Sequence, residues 1–246
     1  MRLDKSALVG VANVLPQLVH LQRAALDLLF PPYCIGCGKE GNYICGSCAR
    51  DFPYIYAPFC PICGRPLNAD NACPGCIAKD HAVDSIRAPF LFNGVIRQAI
   101  HEIKYHNLRS LAPHLALYLH EYLSQNPLPG DVLVPVPIHP QRLRERGYNQ
   151  SALITRELGR LSDLPVVDVC LERLTYHAPQ ARLSTALERL QNTAGAFTCR
   201  DRRLQNKRII LIDDVSTSGA TMNACAAALK SAGAAEVRGL VLALEL

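Results

Sequence analysis

The chain has 246 residues, of which 49% are hydrophobic and 19% charged, and its formal net charge is +5. This length gives one or two domains, and the composition is globular, which excludes disorder as the main state and a fibrous repeat. Polar residues interrupt the apolar stretch 7–29, so the sequence predicts no membrane span and no secretory signal, and we expect a cytoplasmic protein. Residues 1–30 are predicted to form an amphipathic helical segment that packs on the next segment or on a partner.

The next segment is rich in cysteine. Eight of the 11 cysteines lie between residues 34 and 76 and form four C-x-x-C pairs. In a reducing compartment this spacing is typical of metal binding rather than of disulfide bonds. Aromatic residues between the pairs suit either packing within this small segment or stacking on single-stranded DNA bases.

An internal repeat predicts how the pairs share metal ions. Residues 32–39 (PYCIGCGK) are echoed by residues 58–65 (PFCPICGR), and each copy is followed by a second pair. We therefore expect one closed, structural Zn²⁺ site in each repeat, with ligation between the repeats and an iron–sulfur cluster as the alternatives. The two predicted sets of ligands are Cys34, Cys37, Cys45 and Cys48, and Cys60, Cys63, Cys73 and Cys76.

From residue 81 onward, apolar runs alternate with helical periodicity. We predict strands at 85–92, 131–136, 208–212 and 237–244, an extended segment at 166–169, and helices at 95–104, 111–123, 151–161 and 221–231. Strands that alternate with helices predict an α/β fold with a parallel, doubly wound sheet, whose ligands bind beyond the carboxyl ends of the strands. The predicted organisation is a helical segment (1–30), a double zinc ribbon (31–80) and an α/β domain (81–246).

The stretch 208–221 carries the clearest chemical signal. A buried strand ends in Asp213 and Asp214, and a loop of hydroxyl residues and glycine leads into a helix. Backbone amides at the helix start, with the hydroxyls of Thr217, Ser218 and Thr221, suit a phosphate. The two carboxylates suit sugar hydroxyls or a hydrated Mg²⁺ ion. This combination predicts a ribose 5-phosphate site, with an ordinary strand-to-helix turn as the alternative.

Residues 209–221 resemble the ribose-phosphate motif of the type I phosphoribosyltransferases. Further motifs along the chain are PPYC at 31–34 with the four C-x-x-C pairs, IKY at 103–105, VPVP at 134–137, RLRERGYNQ at 142–150, and Gln180, Leu183, Arg189 and Asn192. In these motifs, and from about residue 30 to the end, the chain is similar to the ComF (GntX-like) family, phosphoribosyltransferase-like proteins associated with natural competence. The resemblance implies a type I phosphoribosyltransferase fold preceded by a small double zinc-ribbon domain.

The resemblance also implies roles for individual residues. Asp213 and Asp214 would bind the ribose hydroxyls of phosphoribosyl pyrophosphate, which binds together with Mg²⁺. The loop at 137–147 would be the pyrophosphate loop, where Arg142 and Arg146 stabilise the departing pyrophosphate. The loop at 175–192 would close over the substrate. The residues implied to hold the 5-phosphate are Thr217, Ser218, Gly219, Ala220 and Thr221.

Two functions stay open at this point. The first is an enzyme, linked to DNA uptake, that transfers phosphoribose from phosphoribosyl pyrophosphate to an unknown acceptor. In that reaction Asp213, Asp214, Arg142 and Arg146 would be the catalytic residues. The second is a non-catalytic adaptor that binds single-stranded DNA beside a helicase-type motor and retains the ligand site. His106 and His139 are further candidates for a direct role.

Overall fold

The computed structural model describes residues 31–67, 73–77, 81–174 and 195–246. The predicted N-terminal helical segment and the predicted closing loop, which contains Gln180, Leu183, Arg189 and Asn192, lie outside the described residues. The chain divides into two compact units, Met1–Asp51 and Phe52–Leu246. The second cysteine repeat therefore belongs to the same unit as the sheet, and the domain boundary predicted near residue 80 stays a prediction.

The elements follow the alternation of strands and helices that the sequence predicts. The first unit contains helix α1 (Gly46–Arg50). The second unit contains α2 (Pro74–Ile77), β1 (Ser85–Arg87), β2 (Phe90–Leu91), α3 (Gly94–Tyr105), α4 (Ala112–Gln125), β3 (Val132–Pro135), α5 (Pro140–Arg146), α6 (Gln150–Ser162), β4 (Leu171–Arg173), β5 (Phe197–Cys199), β6 (Arg208–Ser216), α7 (Ala220–Ser231) and β7 (Glu236–Leu244). Short 3-10 turns occupy Arg109–Leu111 and Arg202–Leu204.

The main sheet is parallel, with the strand order β1, β7, β6, β3, and β2 also pairs with β7. Helices α4 and α6 pack on each other and on this sheet, and α7 packs on β6, β7 and β5. Central parallel strands are covered on both faces, which explains the nearly continuous apolar runs of β6 and β7. The predicted α/β class is confirmed. None of the described helices is both long and apolar enough to cross a membrane.

Helix α3 shows how the sequence positions a functional side chain. Its buried residues Ile96, Ala99, Ile100 and Ile103 recur at helical spacing, and the side chain of Asn93 caps its first turn. This apolar stripe fixes which face of the helix meets the core. Lys104 follows Ile100 by four residues, so its stem lies over the same face.

Strand β6 is longer than the sequence predicts. It continues through Asp213 and Asp214 to Ser216, because the equally long β7 goes on pairing with it as far as Leu244. The two acids therefore lie within the strand rather than after its end. Successive strand residues point to opposite faces, so the two carboxylates meet different helices.

The predicted pyrophosphate loop contains helix α5, which corrects its assignment as a loop. Pro140 occupies the first turn, where its missing N–H costs nothing. The side chain of His139 accepts a hydrogen bond from the backbone of Gln141, and Gly147 ends the helix with a φ of +80°. These are ordinary helix start and stop signals.

Two further differences concern strands. The predicted strand 85–92 is divided into β1 and β2, with Pro89 between them. Strands β4 and β5 form an antiparallel pair that the sequence does not predict, because they lie more than 20 residues apart in the chain. Local periodicity carries no information about such a pairing.

Candidate functional site

Each cysteine repeat gathers its four sulfur atoms into one cluster. In both sets, all Sγ atoms lie within 4.8 Å of one another, and the sets are the two that the repeat predicts. The N–H groups of Gly38 and Gly64 donate to the carbonyls of Cys34 and Cys60 at 2.7 and 2.9 Å. Both glycines have a φ of +73°, which a residue without Cβ adopts at little cost.

The chemistry of the sulfur atoms fits a metal ion. In the first cluster, the hydrogen bond with Ser47 lowers the pKa of Cys45 to about 5. The neighbouring Cys34 and Cys45 raise the pKa of Cys48 to about 12. Adjacent thiols cannot all ionise without a compensating cation, and a divalent ion bound by four thiolates supplies that charge.

The two acids of β6 each have a partner on a different helix. Asp213 accepts a hydrogen bond from Ser151 Oγ at 2.7 Å, at the start of α6. Asp214 forms an ion pair with Lys104 on α3, with 2.8 Å between Nζ and Oδ1. The side chains of Asp214 and Lys104 are only 4% and 21% exposed. The pair is therefore largely withdrawn from water.

One oxygen of this acid pair lacks a partner. Oδ2 of Asp214 is buried and accepts no hydrogen bond from any described residue. Leaving a buried acceptor unpaired costs free energy, so such atoms are usually satisfied by protein, water or ligand. A sugar hydroxyl or a hydrated cation is the type of group that this carboxylate oxygen would accept.

The surroundings of Asp213 and Lys104 raise the pKa values of both side chains. Burial, with the neighbouring charge of Asp214, raises the pKa of Asp213 to about 7, although Lys104 opposes the shift. Burial alone would lower the pKa of Lys104, and the carboxylate of Asp214 more than offsets it, so that pKa is raised. Lys104 is therefore charged at neutral pH, whereas Asp213 keeps its proton to a higher pH than an ordinary aspartate.

The shift at Asp213 predicts a loss of stability with rising pH. Its usual pKa is 3.8 and its folded value is about 7, so folding favours the protonated form. The free energy of unfolding should fall between about pH 4 and pH 7, by at most about 4 kcal/mol, and then level off. In the Asp213→Asn variant, which stays neutral, this decrease should disappear when denaturant unfolding is compared at pH 5 and pH 8.

A surface carboxylate provides the control for this pH dependence. Hydrogen bonds from Arg208 lower the pKa of Asp131 to about 2, so its charged form stabilises the fold. Asp131→Asn should therefore destabilise the protein at both pH values. Asp213→Asn should instead stabilise it at pH 8, because it removes a half-buried carboxylate whose charged form disfavours folding. If the Asp213→Asn variant lost stability between pH 5 and pH 8 as steeply as the unaltered protein, Asp213 would not be the source of this pH dependence.

The turn after β6 brings the predicted phosphate residues into one contiguous segment. Residues 217–219 connect β6 to α7, and Gly219 precedes the helix with a φ of +76°. Ser218 Oγ accepts from the N–H of Ala220 at 3.4 Å, and the Gly219 carbonyl accepts from Asn223 at 2.9 Å. The first backbone amides of a helix are available to an anion here.

Arg142 and Arg146 of α5 line a cavity that Lys104 also lines. The cavity has a volume of about 560 Å³. The guanidinium of Arg146 lies 5.6 Å from the ring centre of Tyr105 and hydrogen-bonds Gln150. Lys104 thus connects Asp214 with this cationic cavity. Its lining residues are Lys104, Tyr105, Asn107, Arg142, Glu145, Arg146 and Tyr148.

Sequence reasoning assigns no role to Lys104 or Ser151. The position of Lys104 four residues after the buried Ile100 indicates that it lies on the buried face of its helix. The contact between Ser151 and Asp213, in contrast, depends only on the fold. The two candidate histidines have other interactions: His106 pairs with Glu102 at 2.9 Å, and His139 caps α5.

Family models match both parts of the chain. A double zinc ribbon domain matches residues 25–77, and a phosphoribosyl transferase domain matches residues 183–245. Among solved structures, the glutamine phosphoribosylpyrophosphate amidotransferase from B. subtilis is 19% identical, with a TM-score of 0.38, over 54% of this chain and 26% of that chain. Similarity at this level carries no information about activity.

Relatives that match about four fifths of the chain identify the family. Competence protein ComFC of Bacillus subtilis is 28% identical over 207 residues, which are 80% of this chain and 82% of that protein. DNA utilization protein YhgH of Salmonella typhi is 30% identical over 202 residues, 79% of this chain and 87% of that protein. These relatives and the two domain matches confirm the predicted arrangement of a double zinc ribbon followed by a phosphoribosyltransferase-like fold. The chain therefore belongs to the ComF family of competence protein ComFC and DNA utilization protein YhgH.

Proposed function

We propose that this protein binds phosphoribosyl pyrophosphate together with Mg²⁺ at the end of β6. The observation that carries the proposal is the buried, unpartnered Oδ2 of Asp214. It lies beside the half-buried Asp213 and shortly before the turn at the start of α7. Ribose hydroxyls or the Mg²⁺ ion would satisfy these carboxylates, and the backbone and hydroxyl groups of 217–221 would bind the 5-phosphate.

The cationic cavity supports the same ligand. Lys104, Arg142 and Arg146 line one cavity together with the acid Glu145, and this excess of positive charge favours a polyanion such as pyrophosphate. If phosphoribose is transferred, Arg142 and Arg146 would stabilise the negative charge that develops on the departing pyrophosphate. Asp213 and Asp214 would hold the ribose while its anomeric carbon becomes positively charged. The acceptor would approach this carbon.

Calorimetric titration of the zinc-loaded protein with phosphoribosyl pyrophosphate, with and without Mg²⁺, tests this proposal. We expect saturable binding that Mg²⁺ strengthens. The Asp213→Asn/Asp214→Asn variant should bind about 100-fold more weakly, since charge-assisted hydrogen bonds to the ligand are lost. A matched Asp131→Asn/Asp201→Asn variant, which neutralises two acids paired with surface arginines, should bind normally. Absence of binding, or equal binding by both double variants, would show that the proposal is wrong.

Binding of single-stranded DNA is a second candidate function. Tyr54 and Tyr56 are 43% and 75% exposed, and their ring centres lie 6.2 Å apart. Exposed aromatic rings stack on bases irrespective of sequence. A role beside a helicase-type motor in DNA uptake would fit this function. The Asp213→Asn/Asp214→Asn variant separates the two candidates, because its affinity for single-stranded DNA should not change.

A further inference from the structure

The second cysteine repeat is packed against the sheet through its tight turn. We call residues 60–65 the second knuckle. The N–H of Ile86 in β1 donates to the carbonyl of Ile62 at 2.6 Å, and Arg87 donates to the carbonyl of Pro61 at 2.9 Å. A Cβ atom on the buried Gly64 would lie 2.6 Å from the Ile86 carbonyl oxygen. The knuckle thus approaches β1 so closely that only glycine fits.

The first repeat shows that this packing is not a general property of the turn. Gly38 has the same φ of +73° as Gly64, yet a Cβ atom on it would meet no described atom within 4 Å. Gly38 is exposed and Gly64 is buried. The residue after each glycine also differs in exposure, since Lys39 is exposed whereas Arg65 is half-buried.

Arg65 connects the second knuckle to the turn proposed to bind phosphate. Its Nη2 donates to the carbonyl oxygen of Thr217 at 2.6 Å, across 152 residues of sequence. Thr217 is the first residue after β6. In a planar trans peptide, the N–H of Ser218 points opposite to this carbonyl, so Arg65 fixes the direction of that N–H. A charged donor on the carbonyl also polarises the peptide and strengthens the N–H as a donor.

The backbone of the knuckle ties Arg65 to a cysteine of the second cluster. The N–H of Cys60 donates to the carbonyl of Arg65 at 2.8 Å, and the N–H of Gly64 donates to Cys60. Asn223 of α7, whose N–H donates to the Gly219 carbonyl, also accepts hydrogen bonds from Ala82 and Val83, just before β1. The turn 217–219 is therefore anchored by both Arg65 and Asn223.

We infer that Arg65 is a positioning residue for the turn 217–219, and that a metal ion in the second cysteine cluster is needed to hold it there. The ion orders the knuckle, the knuckle presents the guanidinium, and the guanidinium fixes the Thr217–Ser218 peptide. The second zinc site is then a structural part of the phosphate site. The effect on ligand affinity rests on the proposed function, whereas the ordering of the turn does not.

Hydrogen exchange tests the ordering without any ligand. In the zinc-loaded Arg65→Ala variant, the amides of Ala220 and Asn223, which donate to Ser218 Oγ and to the Gly219 carbonyl, should exchange roughly tenfold faster, as expected for loss of one charge-assisted hydrogen bond that orders the turn. Central amides of β6 and β7 should not change. Arg65→Lys should restore part of the protection, and Lys39→Ala, the equivalent change in the first repeat, should have no effect on these amides.

Affinity for phosphoribosyl pyrophosphate tests the consequence for binding. We expect Arg65→Ala, and Cys63→Ser in the second cluster, to weaken binding roughly tenfold. The matched variants Lys39→Ala and Cys37→Ser should retain it. Failure of the unaltered protein to bind would refute the proposed function, while hydrogen exchange would still decide the role of Arg65. Wild-type exchange of the Ala220 and Asn223 amides in Arg65→Ala, or the same acceleration in Lys39→Ala, would show that the inference is wrong.

Discussion

Removal of metal is expected to unfold the described part of the first unit and to release two Zn²⁺ ions per chain. Within residues 31–51, the buried apolar side chains are Cys34, Ile44 and Cys45, so two of the three are sulfur ligands. Such a segment has too little apolar surface to fold without its ion. Zinc contributes about 10–16 kcal/mol per site in comparable small domains. Chelation should therefore abolish the folded signal of this segment.

Metal analysis by mass spectrometry checks the stoichiometry. The unaltered chain should contain two zinc ions, and Cys37→Ser and Cys63→Ser should each contain one. Cys225→Ser is the matched control, because Cys225 is buried in α7 and belongs to neither cluster. Iron with sulfide in place of zinc would select the iron–sulfur alternative. A chain that keeps its folded signal after complete metal removal would contradict the account of the ribbons.

Replacement of Lys104 by methionine is expected to lower the free energy of unfolding by roughly 3–5 kcal/mol. Methionine has nearly the length of lysine but no charge. The substitution therefore leaves Asp214, which is 4% exposed, without its cation. Oδ2 of Asp214 already lacks a partner among the described residues. An uncompensated carboxylate in this position must be protonated or hydrated at considerable cost. Denaturant unfolding at pH 7 measures the loss.

An exposed ion pair of the same type supplies the control. Lys230 and Asp84 lie 2.7 Å apart, and both side chains are about one-third exposed. Lys230→Met should cost less than about 1 kcal/mol, as exposed pairs do. Adding Asp214→Asn to Lys104→Met should recover most of the stability. Equal losses for Lys104→Met and Lys230→Met, or no recovery in the double variant, would rule out a buried pair.

Local patterns predict the elements of the fold but not their pairings. The apolar run 208–212 and the alanine-rich stretch 221–231 lie within β6 and α7 as expected. The end of β6 is different, because it is set by pairing with β7, a strand that starts 20 residues later. For α5 the local signals were present in Pro140 and Gly147, and the family resemblance favoured a loop instead.

The site likewise contains residues that the sequence predicts and residues that only the fold brings together. Asp213, Asp214 and the turn 217–221 are adjacent in the chain, so their chemistry is readable from the sequence. Lys104, Ser151 and Arg65 come from distant segments, and each reaches this stretch only through tertiary packing. For Ser151 and Arg65, no local pattern indicates the partner. Helical spacing places Lys104 on a buried face, but only the structure identifies Asp214 as its counterion.

A crystal structure of the zinc-loaded protein with phosphoribosyl pyrophosphate and Mg²⁺ tests the proposed site most directly. We predict that the 5-phosphate binds at residues 217–221 and that the ribose hydroxyls lie against Asp213 and Asp214. The pyrophosphate should lie beside Arg142 and Arg146. Absence of the ligand at saturating concentration, or a ligand bound away from the end of β6, would contradict this account.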